Sequence, residues 1–227
     1  MSHASSSKNP VLPKTGNELA LYIHWPFCIA KCPYCDFNVY KQRDDAGLTP
    51  SILSDLKGWR DWSGARRVSS IHFGGGTPSL MPANDMAAII KLAQNLWSPA
   101  ADLEIALEAN PNDITDEKLT AWRGAAIERL SIGVQSFDDE ALEFLGRDHN
   151  GAQAKTALEA AANIMPRVSA DFIFGLAGAD DGAARLSSDL TAAIDLGIGH
   201  ISAYQLTIEE RTAFAKAQAR GEARSCS

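Results

Sequence analysis

Apolar residues follow two rhythms along this chain. Six short runs, residues 19–25, 68–73, 103–108, 130–135, 168–174 and 200–206, are continuous or alternating and predict strands. Between them the spacing lengthens to that of a helix. Met86, Ile89, Ile90, Ala93 and Leu96 share one helical face, with Asn84 or Asp85 expected as the cap. Thr115 is expected to cap a helix that carries Leu119 and Trp122 and ends at Gly124. Asp138 is expected to cap a short one that carries Leu142 and Leu145 and ends at Gly146. Ala154, Ala157, Leu158 and Ala161 make another stripe, and Leu186, Leu190, Ala193 and Ile194 a fifth.

Strand and helix alternating with polar connections predict parallel βα units in the α/β class. Right-handed crossovers wind six such units into a partial (β/α)6 barrel of the TIM type, or an open arc of one; a closed eight-fold barrel needs two more. Chemistry in these folds sits at the carboxyl ends of the strands. A cysteine-rich loop follows the first run and Gly74-Gly75-Gly76-Thr77-Pro78 the second. Glu108 ends the third, Gln135 ends the fourth, and Asp171 lies in the fifth.

The chain has 227 residues, 45% of them hydrophobic, enough for one sizeable core. Its net charge of -7 works against a general nucleic-acid binder, which needs a basic face to release counterions from phosphates. No apolar run approaches the length that spans a bilayer. Residues 1–18, MSHASSSKNPVLPKTGNE, are polar without the apolar stretch of a secretory signal, and are expected to form a flexible lead-in. Four cysteines in such a length are too sparse for a disulfide scaffold. The expected setting is a reducing cytosol, where clustered cysteines serve metal or redox chemistry.

Three of those cysteines, Cys28, Cys32 and Cys35, are spaced C-x3-C-x2-C. Iron–sulfur clusters normally take four thiolates, so three leave one iron open to a ligand. Structural zinc wants a closed set of four, which His24 would have to complete. Cys226 lies far off in a polar tail and reads as a solvated thiol. An open iron–sulfur site ranks above zinc, and zinc above no metal.

The stretch "YIHWPFCIAKCPYCDF" resembles the signature of radical S-adenosylmethionine (radical SAM) enzymes. More narrowly it looks like the branch containing oxygen-independent coproporphyrinogen III dehydrogenases and HemW heme chaperones. The resemblance continues through "IHFGGGTPSLM", "LEANP", "RLSIGVQSFDDEALEFLGRDH", "DFIFGL" and "HISAYQLTIEERT", in the family's order, from residue 19 to about 221. It implies a radical SAM core over 19–221, with a [4Fe-4S] cluster on Cys28, Cys32 and Cys35 and SAM on its open iron. An electron from the cluster would then cleave SAM to methionine and a hydrogen-abstracting 5′-deoxyadenosyl radical.

The other motifs carry ordinary readings beside the implied ones. Gly75, Gly76 and Thr77 can form a tight βα turn, and the resemblance places them against the methionine part of SAM. Glu108 and Gln135 can be solvated strand ends, and Arg147 a surface arginine; the resemblance assigns all three to SAM. Asp171 interrupts an apolar strand, where an unpaired charge costs several kcal/mol, so it is expected to face a polar ligand or an arginine. Tyr22 and Tyr34 match positions near SAM, although aromatics at such places usually belong to the core.

Phe37, in "CDFN", stands where the dehydrogenase branch carries a further cysteine, and it looks like the HemW pattern. The leading function is therefore a heme chaperone that passes heme to an acceptor protein. The alternatives are a porphyrinogen dehydrogenase with its electron donor, and a remnant that only binds metal. Arg66 and Arg67 are candidates for porphyrin propionates, and His24, His72, His149 and His200 for heme iron, each with a structural role as the plainer reading. Ala177 and Ala179 depart from the family's usual proline and glutamine. The relatives continue into a C-terminal domain, whereas 222–227 is expected to be an irregular tail, with that domain absent.

Overall fold

The computed structural model describes residues 17–41, 47–176 and 182–221. Its strands are β1 (Glu18–Trp25), β2 (Phe27–Cys28), β3 (Tyr40–Lys41), β4 (Arg67–Gly75), β5 (Ser98–Ala109), β6 (Arg129–Gln135), β7 (Arg167–Phe174) and β8 (His200–Gln205). Its helices are α1 (Leu48–Ser63), α2 (Ala83–Leu96), α3 (Asp116–Gly124), α4 (Asp139–Phe144), α5 (Gly151–Ile164), α6 (Gly182–Asp195) and α7 (Ala213–Ala219). The six long strands form one sheet in the order β1-β4-β5-β6-β7-β8, and every neighbouring pair is parallel. This is the α/β, partial (β/α)6 arrangement that the alternating rhythm predicts.

The two faces of the sheet differ in chemistry. On β6, Leu130, Ile132 and Val134 are buried under the helices, while Arg129, Ser131, Gly133 and Gln135 alternate onto the other face. Phe73, Leu107 and Phe172 join the buried side, against Met86, Ile89 and Ala93 of α2 and Leu158 of α5. Along the other face, strand register sets Tyr22, His72, Ala106, Arg129 and Arg167 in one row. Glu108, Ser131, Ser169 and His200 form the next. A closed TIM barrel packs that face with branched apolar residues. Here it is polar, and Glu104 bridges Arg129 at 3.5 Å and Arg167 at 2.7 Å near the amino ends of the strands.

Thr115 and Asp138 cap α3 and α4 as expected, accepting from the amides of Lys118 and Ala141. The start of α2 differs. Pro82 occupies its cap with no side-chain bond, and Asp85 falls in the first turn. Proline's fixed φ suits a helix start, and Asp85 meets the helix's positive end while accepting from Thr49 at 2.9 Å. In α6 the expected stripe is shifted, since Ile194 is 64% exposed and Asp189 and Ala193 face inward. Helices α1 and α7 have no counterpart in the apolar pattern. Each buries one residue, Leu56 and Phe214. Residues 1–16 of the expected lead-in, the tail 222–227 with Cys226, and Ala177 and Ala179 lie outside the described residues.

Candidate functional site

At the carboxyl ends of the strands a cavity of about 490 Å³ opens. Its wall includes Cys28, Cys32 and Cys35, and also Tyr34, Gly75, Gly76, Thr77, Glu108, Gln135, Arg147 and Asp171. Of the residues that the sequence assigns to the cluster and SAM, only Tyr22 stands off the wall, one position down the barrel beside His24 and His72.

The cysteine loop is tied at both ends. β2 and β3 pair Phe27 with Tyr40 and Cys28 with Lys41, closing the loop at its base. The Cys35 amide donates to the Cys32 carbonyl at 3.1 Å, turning the chain between the last two thiols. Beyond it, Tyr34 packs with Phe144 and Phe214 in a second small core, and the Phe214 amide donates to Pro33. Gly146, at φ 64°, leaves room for the Pro33 ring, which a Cβ would meet at 2.7 Å.

The glycine loop zips against this one. Gly76 donates to Trp25 at 2.6 Å and Thr77 to Phe27 at 2.8 Å. A Cβ on Gly76 would lie 2.6 Å from the Phe27 oxygen and 2.9 Å from Cys28 Sγ. Glycine is therefore what lets the backbone approach the first thiol.

Cys28 is buried and the other two thiols are half-buried. Burial pushes the pKa of Cys28 up, although the Thr77 hydroxyl works against it, and burial raises Cys35 likewise. Arg147 faces them, with Nη1 3.4 Å from Cys32 Sγ and Nη2 donating to the Gly133 carbonyl at 3.1 Å. Burial disfavours its charge, but the neighbouring Tyr34 and Cys32 outweigh that and hold its pKa up. Its Nε is buried without a partner.

Across the cavity, Asp171 accepts from Ser131 at 2.7 Å through Oδ2, while Oδ1 is buried and unpartnered. Burial raises its pKa against the lowering by Ser131 and Ser202. Gln135 ends β6 at φ 69°, a strained value for a residue with a side chain, and a Cβ on Gly133 would meet its amide nitrogen. Glu108 accepts from the Gly75 amide at 3.2 Å and contacts His72 Nε2 at 2.8 Å.

The four candidate histidines are engaged within the fold. His24 Nε2 donates to the Asn38 carbonyl at 3.1 Å and Nδ1 accepts from the Tyr22 hydroxyl at 3.3 Å. It braces the return of the cysteine loop instead of joining the thiols. His149 contacts the Val134 carbonyl, and His200 contacts Ser169. Arg67, paired with Glu18, opens β4 at the end of the sheet away from the cavity, with Arg66 beside it.

Sequence reasoning missed a polar clamp over the site. Asn110 and Asn112 both donate to Asp148, the neighbour of Arg147, and Ser79 donates to Asp113. The asparagines stand beside Pro111 in the "LEANP" stretch, but partners so far apart in the chain leave no local signal.

Among the described residues, no three His, Cys, Asp or Glu side chains gather closely enough for a single ion. Thiolates on a cubane each take a different iron, so they stand further apart than the ligands of one zinc. Three thiols on one wall, a backbone without Cβ atoms beside them, and buried unpartnered atoms on Arg147 and Asp171 fit an iron–sulfur cluster with a polar organic ligand.

The profile of the radical SAM superfamily matches residues 22–186. The chain belongs to this superfamily. Radical SAM proteins generally bind a [4Fe-4S] cluster and SAM. This radical SAM chain is 40% identical over 205 residues to the heme chaperone HemW of Haemophilus influenzae, covering 87% of this chain and 53% of that protein. It is 39% identical over 214 residues to the mitochondrial radical S-adenosyl methionine domain-containing protein 1 of Bos taurus, covering 92% and 48%. The chain thus spans about half the length of the curated relatives it matches. In fold it resembles the coproporphyrinogen III oxidase HemN of Escherichia coli, with a TM-score of 0.78 at 24% identity, over 92% of this chain and 48% of that one. No helix among the described residues is long and apolar enough to cross a membrane.

Proposed function

We propose that this chain is the cluster- and SAM-binding core of a cytosolic HemW-like heme chaperone, which passes heme to an acceptor protein. The observation that carries the reading is the convergence of three thiols, the Gly75–Gly76 backbone and the unpartnered Asp171 Oδ1 on one cavity. Phe37, 62% exposed on the cavity wall where the dehydrogenase branch has a further cysteine, and the identity with HemW favour a chaperone.

When bound, a reduced cluster with SAM supplies one-electron chemistry that the protein's own side chains lack. Cys28, Cys32 and Cys35 would hold the cluster as thiolates, which requires the loss of their protons. Gly75 and Gly76 let the ligand lie against bare backbone. Asp171 and Glu108 offer carboxylate oxygens to its N–H and O–H groups, and Gln135 offers an amide. Arg147 supplies the fixed positive charge, suited to a carboxylate through its planar fork. Tyr34 seals the loop against water from the side of the second core. Tyr22 acts from beneath, through its contacts with His72 and His24.

The test is anaerobic reconstitution with iron and sulfide, followed by EPR of the reduced protein with and without SAM. A cluster signal that shifts with SAM and disappears in Cys32→Ala is expected. Heme binding without turnover then supports the chaperone, whereas porphyrinogen oxidation coupled to 5′-deoxyadenosine release supports the dehydrogenase. A cluster indifferent to SAM, or zinc in its place, leaves a metal-binding remnant.

A further inference from the structure

Both oxygens of Glu108 are held by the protein itself. Oε2 accepts from the Gly75 amide at 3.2 Å, and Oε1 lies 2.8 Å from His72 Nε2. A carboxylate can only accept, so Nε2 carries the proton in this contact. The imidazole is fixed in turn from the next strand, where its ring lies nearly parallel to Tyr22 at 5.9 Å and 14°.

Gly74 makes this meeting possible. A Cβ there would come within 2.7 Å of Tyr22 Cε2, 3.0 Å of Glu108 Oε1 and 3.1 Å of His72 Cδ2. Side chains from β1, β4 and β5 thus converge on a point that must stay empty. Glu108 reaches the cavity wall, and His72 lies behind it, outside the wall.

We infer that His72 is a positioning residue for SAM, which sets the orientation of the Glu108 carboxylate without touching the ligand. This rests on reading the cavity as the SAM site. Each carboxylate oxygen has two acceptor positions. With one on each oxygen committed to His72 or Gly75, the other on each oxygen is left for ligand donors. Without His72 the carboxylate loses one anchor and spreads over several rotamers. The pair is not a fold-stabilising bridge, because both side chains are about 40% exposed and such pairs contribute little.

SAM affinity of the cluster-loaded chain, measured anaerobically beside iron content and melting temperature, tests this. His72→Ala is expected to weaken SAM binding roughly tenfold through the lost charge-assisted bond, with iron content and melting unchanged. His72→Gln, whose amide can donate to the same oxygen, is expected to restore most of the affinity. In a Glu108→Ala background, His72→Ala is expected to have no further effect. If the native chain binds SAM and His72→Ala binds it equally well, or adds its full loss to that of Glu108→Ala, the inference is overturned. A cluster-loaded native chain that does not bind SAM overturns the reading of the site and this role together. Should His72→Ala not fold, the imidazole 15N shifts of His72 carry the test. They are expected to move in Glu108→Gln, and an unchanged spectrum rejects the contact.

Discussion

Arg147 reaches Cys32 across 115 positions of sequence, placing Nη1 3.4 Å from Sγ, while Nη2 holds the Gly133 carbonyl at 3.1 Å. One guanidinium therefore joins the loop after α4 to the cysteine loop and to β6. A lysine keeps the charge but presents a single point that cannot span both partners. Arg147→Lys is expected to lower SAM affinity about tenfold, with cluster content near that of the native chain. Ligand titration beside an iron assay checks this, and native affinity in the lysine variant would remove Arg147 from the site.

Gly76 and Gly58 make opposite predictions from the same substitution. A Cβ on Gly76 runs into the Phe27 backbone and Cys28 Sγ, whereas one on Gly58 meets nothing within 4 Å. Gly76→Ala is expected to cost about 1–3 kcal/mol by overpacking and to reduce iron uptake by displacing Cys28. Gly58→Ala, inside α1, is expected to stabilise by about 0.5–1 kcal/mol with no effect on iron. Urea unfolding of both variants, with iron assays, separates them.

Some of this was legible in the sequence and some was not, for reasons that lie in particular residues. The six strands could be read because their buried side is a run such as Leu130, Ile132 and Val134. Helix α1 could not, because LTPSILSDLKGWRDWS buries only Leu56. The α6 stripe misled because Asp189, a polar residue, takes an inward position and leaves Ile194 in solvent. In the site, the thiols announced themselves by lying within eight residues. His72 and Glu108 are 36 positions apart, and only adjacent strands bring them together.

Two thiols of the cluster-free chain, Cys28 and Cys35, are expected to resist alkylation. Burial raises Cys28 and Cys35 above the ordinary 9.0, so at neutral pH each carries less thiolate than a free cysteine. Reaction with iodoacetamide over a pH series, read by mass mapping, is expected to be slower at these two positions than at a free cysteine and to go on rising past pH 9.0. Rapid labelling at pH 7 would show that the loop is open. Because the cluster takes thiolates, loading should release protons and become more favourable as pH rises.

Asp189 ties α6 to the turn after β6, accepting from Ser136 Oγ at 2.7 Å and from the Phe137 amide at 2.9 Å while only 5% exposed. Burial lifts its pKa above the ordinary 3.8, and the two hydrogen bonds offset that only in part. With the folded value above the unfolded one, the native chain binds the extra proton between them. Its contribution is full below pH 3.8 and is lost as pH rises through the folded value. Asp189→Asn can accept from Phe137 through its oxygen and donate to Ser136 through its nitrogen. It is expected to hold neutral-pH stability within about 1 kcal/mol and to flatten the pH dependence in that window. Asp189→Ala strands both donors and is expected to cost about 2–4 kcal/mol. Urea unfolding from pH 4 to 7 distinguishes the two, and an asparagine variant as unstable as the alanine would show that the charge, not the pair of bonds, holds α6 in place.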